Sequence, residues 1–389
     1  MSGGTTGGRR GRRPTVRDDL ALMQGYHSPQ LDVEVRLNTN EAPEGPPVEF
    51  SAALAREITG IDWNRYPERS ALGLRSAIAA LEGPAVPGGL TAEQVLVANG
   101  SNEVLQTVCL AYGGAGRTAV TFEPTYALHS HIAALTGTTV TSGARTDDFA
   151  LDLAEVEAVV ASSQPGIVFL CSPNNPTGGA ESNQSVARVL EMVEAAGGLL
   201  VVDEAYGQFA PQSALALVHE DRPLVVTRTF SKTWSAAALR LGYLIGPSWV
   251  VDALGGVLLP YHLDAFKQVA GVLALGFRDE MDRRVARLVE ERGRVAAALD
   301  TLAVHHWPSD ANYILFRPER ADGSEVWQRM VDAGVLVRDC SSWPGLHGCL
   351  RVTLGTPGEN DRFLAALADA RSPTRSDRRH PASPGSQYR

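Results

Sequence analysis

Lysine is almost missing from this 389-residue chain: Lys232 and Lys267 are the only two among 35 basic residues, and the other 33 are arginine. Arginine therefore carries the generic positive charge. A lysine kept in that background points to chemistry closed to guanidinium, because an ε-amine can lose its proton and attack a carbonyl. Cysteine is scarce too. Cys109, Cys171, Cys340 and Cys349 form no C-x-x-C pair and mostly sit in apolar runs, so they read as reduced core thiols rather than a disulfide scaffold. No apolar run approaches the roughly 20 residues of a membrane helix. The arginine-bearing start, residues 1–13, has no apolar segment of a secretory signal. A net charge of −9 argues against a nucleic-acid surface. The expected setting is the cytoplasm, with small-molecule partners, no membrane, no nucleic acid and no metal.

What is present is ordinary soluble composition, 44% hydrophobic and 20% charged, in a chain long enough for one large α/β domain and a smaller one. Residues 1–18 and 372–389 are tails of Gly, Thr, Ser, Pro and Arg that cannot bury enough apolar surface to offset ordering, and are expected to be disordered. From residue 94 short apolar runs alternate with helical patterns: 94–98 then 104–112, 118–122 then 126–135, followed by apolar runs at 167–170, 199–202, 224–227 and 241–245. That alternation predicts a mainly parallel sheet covered on both faces, with ligands at the carboxyl ends of its strands. Met281, Val285, Leu288, Val295, Leu299 and Leu302 repeat at helical spacing, predicting a long amphipathic helix that bridges two domains. Strands at 312–316, 335–337 and 350–354 and helices at 324–333 and 359–370 make the second domain a small α/β unit. The expected division is an N-terminal arm over 19–45, a large domain over 46–260, and the bridging helix with the small domain over 261–371.

The polar clusters follow the apolar runs. Lys232 comes after the run 224–227, bracketed by the hydroxyls of Thr229 and Ser231 and by Arg240 eight residues on. Two hydroxyls and a guanidinium suit a phosphate monoester. A lysine beside a phosphate site is what a pyridoxal phosphate enzyme requires, as imine partner for the aldehyde and anchor for the dianion. Asn99-Gly100-Ser101-Asn102-Glu103 lies between a strand and a helix, so Ser101 and nearby N–H groups either bind an anion or simply cap the helix. Leu200-Val201-Val202-Asp203-Glu204-Ala205-Tyr206 ends a strand in a carboxylate, as the Mg²⁺ site of a nucleotide triphosphatase does, but no G-x-x-x-x-G-K-[ST] accompanies it. A protonated pyridine nitrogen is the alternative partner for Asp203, with Tyr206 able to donate to the ring's phenolate oxygen; a helix-capping Asp is the plain reading. Ser172-Pro173-Asn174-Asn175-Pro176-Thr177-Gly178 is a turn that would hold Asn175 rigidly, and Tyr126 is either core or a platform for a ring.

Taken in order, L-N-T-N-E, N-R-Y-P-E, A-N-G-S-N-E, C-S-P-N-N-P-T-G, V-V-D-E-A-Y, T-x-S-K with its later arginine, and G-C-L-R-V-T-L-G-T resemble the fold-type I, class I/II pyridoxal-phosphate aminotransferases. Within them the resemblance is strongest to the histidinol-phosphate aminotransferase family in its actinobacterial form. It implies an α/β fold with a mainly parallel sheet between helices in the large domain and a smaller C-terminal α/β domain. It implies that Lys232 forms the imine with pyridoxal 5′-phosphate, that Asp203 faces the pyridine nitrogen, and that Asn175 and Tyr206 hold the ring oxygen. Tyr126 would stack on the ring, and Ser101, Asn102, Thr229, Ser231 and Arg240 would hold the phosphate. Tyr66 matches the tyrosine that reaches the phosphate of a neighbouring subunit, which implies a homodimer. Arg351 matches the small-domain arginine that binds the substrate's carboxylate or equivalent anion, Asn40 counts among the substrate-binding residues, and Arg338 and Tyr26 match contacts to a substrate phosphate. The implied reaction moves an amino group from L-histidinol phosphate to 2-oxoglutarate, giving imidazole acetol phosphate and L-glutamate in histidine biosynthesis.

The sequence departs from the family's pattern at Ala42, where asparagine is usual, at Ala238, where glycine is usual, and at Asp264, where serine is common. Trp234 and Asp264 are expected to reshape the pocket. A paralogue acting on another amino donor, by transamination or by another fate of the carbanion, is the second reading. A transcription regulator with an aminotransferase-like sensor is disfavoured, because only about 25 residues precede the resemblance.

Overall fold

The computed structural model describes residues 14–20, 30–318 and 322–371. Its strands in chain order are β1 (Val35–Leu37), β2 (Val95–Ala98), β3 (Thr118–Glu123), β4 (Thr139–Ala144), β5 (Ile167–Cys171), β6 (Leu199–Asp203), β7 (Leu224–Thr229), β8 (Gly242–Ile245), β9 (His305–His306), β10 (Tyr313–Arg317), β11 (Val335–Asp339) and β12 (Leu350–Thr353). A seven-stranded sheet runs β2-β8-β7-β6-β5-β3-β4. Only β8 opposes its neighbours; the β4–β3–β5–β6–β7 ladders are all parallel.

Burial on both faces explains why β5 and β6 read as unbroken apolar runs. Alternation then divides each strand between two cores. Val168, Leu170, Leu200, Val202 and Val226 join one apolar cluster, with Leu74 and Ile78 of the helix Leu72–Glu82. Ile167, Phe169, Leu199, Val201 and Val225 join another on the opposite face, with Ile132 and Ala133 of the helix Leu128–Leu135. β4 was not foreseen. It is an edge strand with a single buried residue, so its Thr-Val-Thr-Ser-Gly-Ala sequence carries no apolar signal.

A second sheet runs β1-β11-β12-β10-β9 and is antiparallel except where β1 joins β11. β1 comes from the arm, so the start of the chain completes the sheet built by its end. The helix Arg278–Thr301 lies between the two assemblies: Met281 packs into the first core, and Leu288, Val295 and Leu299 into the core beneath the second sheet. All four cysteines are buried and free. Of the two tails, only residues 14–18 are among those described, and Tyr26 lies outside them.

Candidate active site

Parity along β6 and β7 decides what faces the cavity. Asp203 continues the face of Leu199 and Val201, so it points toward the helix Leu128–Leu135, while Glu204 points to the other side of the sheet. Asp203 is 1% exposed. Its Oδ1 accepts from Thr227 Oγ1 at 3.2 Å and from the Ala205 amide at 3.1 Å, and its Oδ2 meets His129 Nε2 at 3.0 Å. His129 is itself buried, stacked on Phe169 and edge-on to Tyr126. Sequence reasoning missed it, because a histidine inside an apolar helix looks like ordinary core. On the opposite face Arg228 bridges Glu82 and Glu204, and Tyr243 donates to Glu82.

Beyond β7 the chain turns so that Thr229, Ser231 and Lys232 enter one cavity. Thr229 Oγ1 donates to Ser231 Oγ at 2.9 Å, and Arg240 Nη1 donates to the same oxygen at 3.3 Å. The helix Ser101–Tyr112 starts beside them. Gly100 has φ +86°, and a Cβ there would lie 2.8 Å from the Arg240 guanidinium; a Cβ on Gly242 would lie 2.4 Å from the Ser101 nitrogen. Only glycine permits this approach of guanidinium, helix N-terminus and hydroxyls. The result is an anion cradle.

Lys232 Nζ donates to the Thr39 carbonyl at 3.0 Å and sits 5.8 Å from the Tyr206 ring centre. Burial lowers its pKa to about 8; Arg351 and Arg240 push the same way and Glu41 opposes them. A larger share of the amine is therefore neutral, and nucleophilic, near neutral pH. Tyr206 OH accepts from Asn40 Nδ2 at 2.9 Å, and burial raises its phenol above the usual range, with Arg351 and Asn40 opposing. Asn175 Oδ1 accepts from Arg351 Nη1, while Arg351 Nη2 holds the Asn38 carbonyl at 3.0 Å and Nε has no partner among the described residues. Tyr126 donates to Asn102 at 3.3 Å.

Lys232, Asp203, Tyr206, Ser101, Asn102, Tyr126, Asn175, Thr229, Ser231, Arg240, Asn40 and Arg351 all line this one cavity of about 510 Å³. Two expected residues do not. Arg338 stands one strand away, its Cα paired with that of Arg351 and its guanidinium over the Trp343 ring at 5.8 Å. Tyr66 is 80% exposed and stacked on Tyr261 at 4.5 Å. Trp234 and Asp264 do not shape the cavity either. Trp234 is packed in the core against Phe230, and Asp264 caps the helix Ala265–Leu275 and pairs with Lys267 at 2.5 Å. A helix start needs a short acceptor, and Asp serves as well as Ser. The cavity is further lined by Gln30, which lies outside the motifs, by Ala237 in the segment after the lysine, and by Thr39, Glu41, Cys171 and Ala205, which the motifs contain without a role assigned to them.

The aminotransferase class I and II model matches residues 33–367. The chain belongs to that family. This aminotransferase is 46% identical over 358 residues to a histidinol-phosphate aminotransferase of Frankia casuarinae, covering 90% of this chain and 89% of that one. It is 44% identical over 359 residues to the enzyme of the same name from Mycolicibacterium smegmatis, covering 91% and 93%. Among solved structures, the histidinol-phosphate aminotransferase of Sinorhizobium meliloti in complex with pyridoxal 5′-phosphate superposes with a TM-score of 0.78 at 23% identity, covering 87% of this chain and 91% of that one. A Thermus thermophilus aspartate aminotransferase variant gives 0.78 at 21%, covering 92% and 100%. Both share the fold. Pyridoxal 5′-phosphate is the cofactor of the class, and the cavity suits it: a cradle that only glycine leaves open for a phosphate, a half-buried amine for an aldehyde, and a buried carboxylate for a ring nitrogen.

Proposed function

We propose that the aminotransferase moves the amino group of L-histidinol phosphate to 2-oxoglutarate, with Lys232 as imine partner and proton carrier. The observation that carries the chemistry is the placement of a lysine amine of lowered pKa in one cavity with the Thr229–Ser231–Arg240 cradle and the carboxylate of Asp203. The names and 44–46% identity of its relatives support the donor and acceptor.

When bound, pyridoxal phosphate supplies an aldehyde that captures the amine and a ring that accepts an electron pair. Ser101, Asn102, Thr229, Ser231 and Arg240 would hold its phosphate, and Tyr126 would cover one ring face. Asp203, oriented by His129 and Thr227, would keep the ring nitrogen protonated. Asn175 and Tyr206 would hold the ring oxygen. Lys232 Nζ, as a free amine of lowered pKa, would take the proton from the donor's amine-bearing carbon. Arg351 and Asn40 would orient the substrate's reacting end, and Arg338, on the strand beside Arg351 and outside the cavity lining, would reach its phosphate from there together with Tyr26.

The same reading includes a homodimer in which Tyr66 serves the other copy's cavity, supported by its 80% exposure while stacked on Tyr261, itself 40% exposed. It includes a cytoplasmic enzyme; no helix among the described residues is long and apolar enough to cross a membrane. It keeps the arm at 19–45, the cofactor-binding domain at 46–260 and the bridging helix with the small domain at 261–371; the two sheets have separate apolar clusters, but Leu263, Ala274 and Leu275 pack into the first, which argues for a boundary later than 260.

Ala238 lines the cavity where the family usually has glycine, so other donors belong in the test. Half-reactions of the holoenzyme with a panel of amines, followed by the loss of cofactor absorbance, should show fastest conversion with histidinol phosphate. Faster conversion with another donor, or none with histidinol phosphate, would leave the class standing and overturn the substrate.

A further inference from the structure

We propose that Arg284 is a positioning residue for Lys232: from the helix that joins the two cores it ties the arm to the lysine's own loop, and so sets what stands over the amine. The inference rests on Lys232 being the reacting lysine. Arg284 is 4% exposed, an unusual place for a guanidinium with no bidentate acid partner. Its Nη1 donates to the Thr233 carbonyl at 3.4 Å and its Nη2 to the Gly45 carbonyl at 3.3 Å, with Glu280 3.8 Å away. Thr233 directly follows Lys232. Gly45 ends the arm segment 39–45, whose other end supplies the Thr39 carbonyl to Lys232 Nζ.

The two segments are thus joined twice, by Lys232 to Thr39 at one end and through Arg284 at the other. Between those ties the arm carries Asn40, bonded to Tyr206, and Glu41, which lines the cavity. Arg287 grips the neighbouring Glu44 at 3.4 Å from the same helix, but both side chains are more than half exposed and add little. Without the Arg284 tie, the arm loses its buried anchor to the lysine loop. Thr39 stays in place between Asn38, whose carbonyl Arg351 holds, and Asn40, held by Tyr206 and Thr353, but the Glu41 carboxylate, which favours the ammonium form of Lys232, then drifts from it, while Arg351 and Arg240, which oppose that form, keep their contacts.

The test is the pH dependence of the rate at which the full-length apoprotein captures pyridoxal phosphate, read from imine absorbance. Arg284→Met should move the midpoint down by at least about half a pH unit and slow both half-reactions of the reconstituted enzyme about tenfold or more. Amides of residues 41–45 should exchange faster with deuterium. Arg284→Lys keeps the buried charge but reaches only one carbonyl, and should show the same displaced midpoint. If Arg284→Met folds and keeps the wild-type midpoint, or if lysine at this position restores it fully, the bridging role is overturned. Failure of the underlying assignment would look different: Lys232→Ala apoprotein would then still capture the aldehyde as an imine.

Discussion

Replacing Asp203 by asparagine separates the charge of the buried carboxylate from its shape. Asp203 Oδ1 accepts from Thr227 and Ala205, and an amide oxygen can do the same. The amide nitrogen can donate to His129 Nε2 once the imidazole carries its proton on Nδ1, a tautomer set by the hydrogen-bond network. The proton then sits on a buried Nδ1 that has no partner among the described residues, so folding should lose about 1 to 3 kcal/mol, the cost of one unsatisfied buried donor. Catalysis loses a full charge. Opposite unit charges about 4 Å apart at an effective dielectric of about 20 interact by about 4 kcal/mol, which corresponds to roughly a thousandfold in rate. Stopped-flow half-reactions of the holoenzyme with glutamate, alongside urea denaturation, measure the two effects separately. A rate within about tenfold of wild type, with the fold intact, would refute the pyridinium role and leave Asp203 a capping residue at a strand end.

Lys232→Ala should abolish the visible absorbance of the cofactor–lysine imine and reduce turnover by about a thousandfold or more; retained absorbance would shift the role to Lys267. In wild-type apoprotein the rate of imine formation should rise with pH through about 8, because the neutral amine attacks; a midpoint near the ordinary lysine value would contradict the lowered pKa. Arg338→Ala should cost about 2 to 4 kcal/mol with histidinol phosphate and less with glutamate, whereas Arg351→Ala should impair both half-reactions; equal losses in Arg338→Ala count against its phosphate role. Arg228→Met strands Glu82 and Glu204 in the core and should destabilise the fold by about 3 to 5 kcal/mol; an unchanged urea midpoint would show that the bridge is not needed.

Residues that end apolar strands were legible in the sequence, because strand-end loops are where such a sheet presents chemistry, and Lys232, Asp203 and Asn175 each follow a buried run. Partners brought by distant segments were not. His129 lies 74 positions from Asp203, and Glu82 lies 146 positions from Arg228, so nothing local marks either pair. The Thr39 carbonyl is backbone, and every residue has one. Asp264 misled for the opposite reason: it departs from the family's residue, yet its work is the capping any short polar side chain performs. β4 was invisible because an edge strand need not be apolar.

The helix Arg278–Thr301 gives Met281 to one core and Leu288, Val295 and Leu299 to the other. Two sheets are visible, yet no cut through the chain here leaves both with their full complement of apolar contacts. β1 adds a second tie, since the first strand of the chain pairs with β11 and must be in place before the second sheet is complete. The molecule is therefore expected to unfold in a single cooperative transition despite its two sheets: a fragment ending before Arg278 lacks Met281 from its core, and one beginning after Thr301 lacks both its buttress and its edge strand.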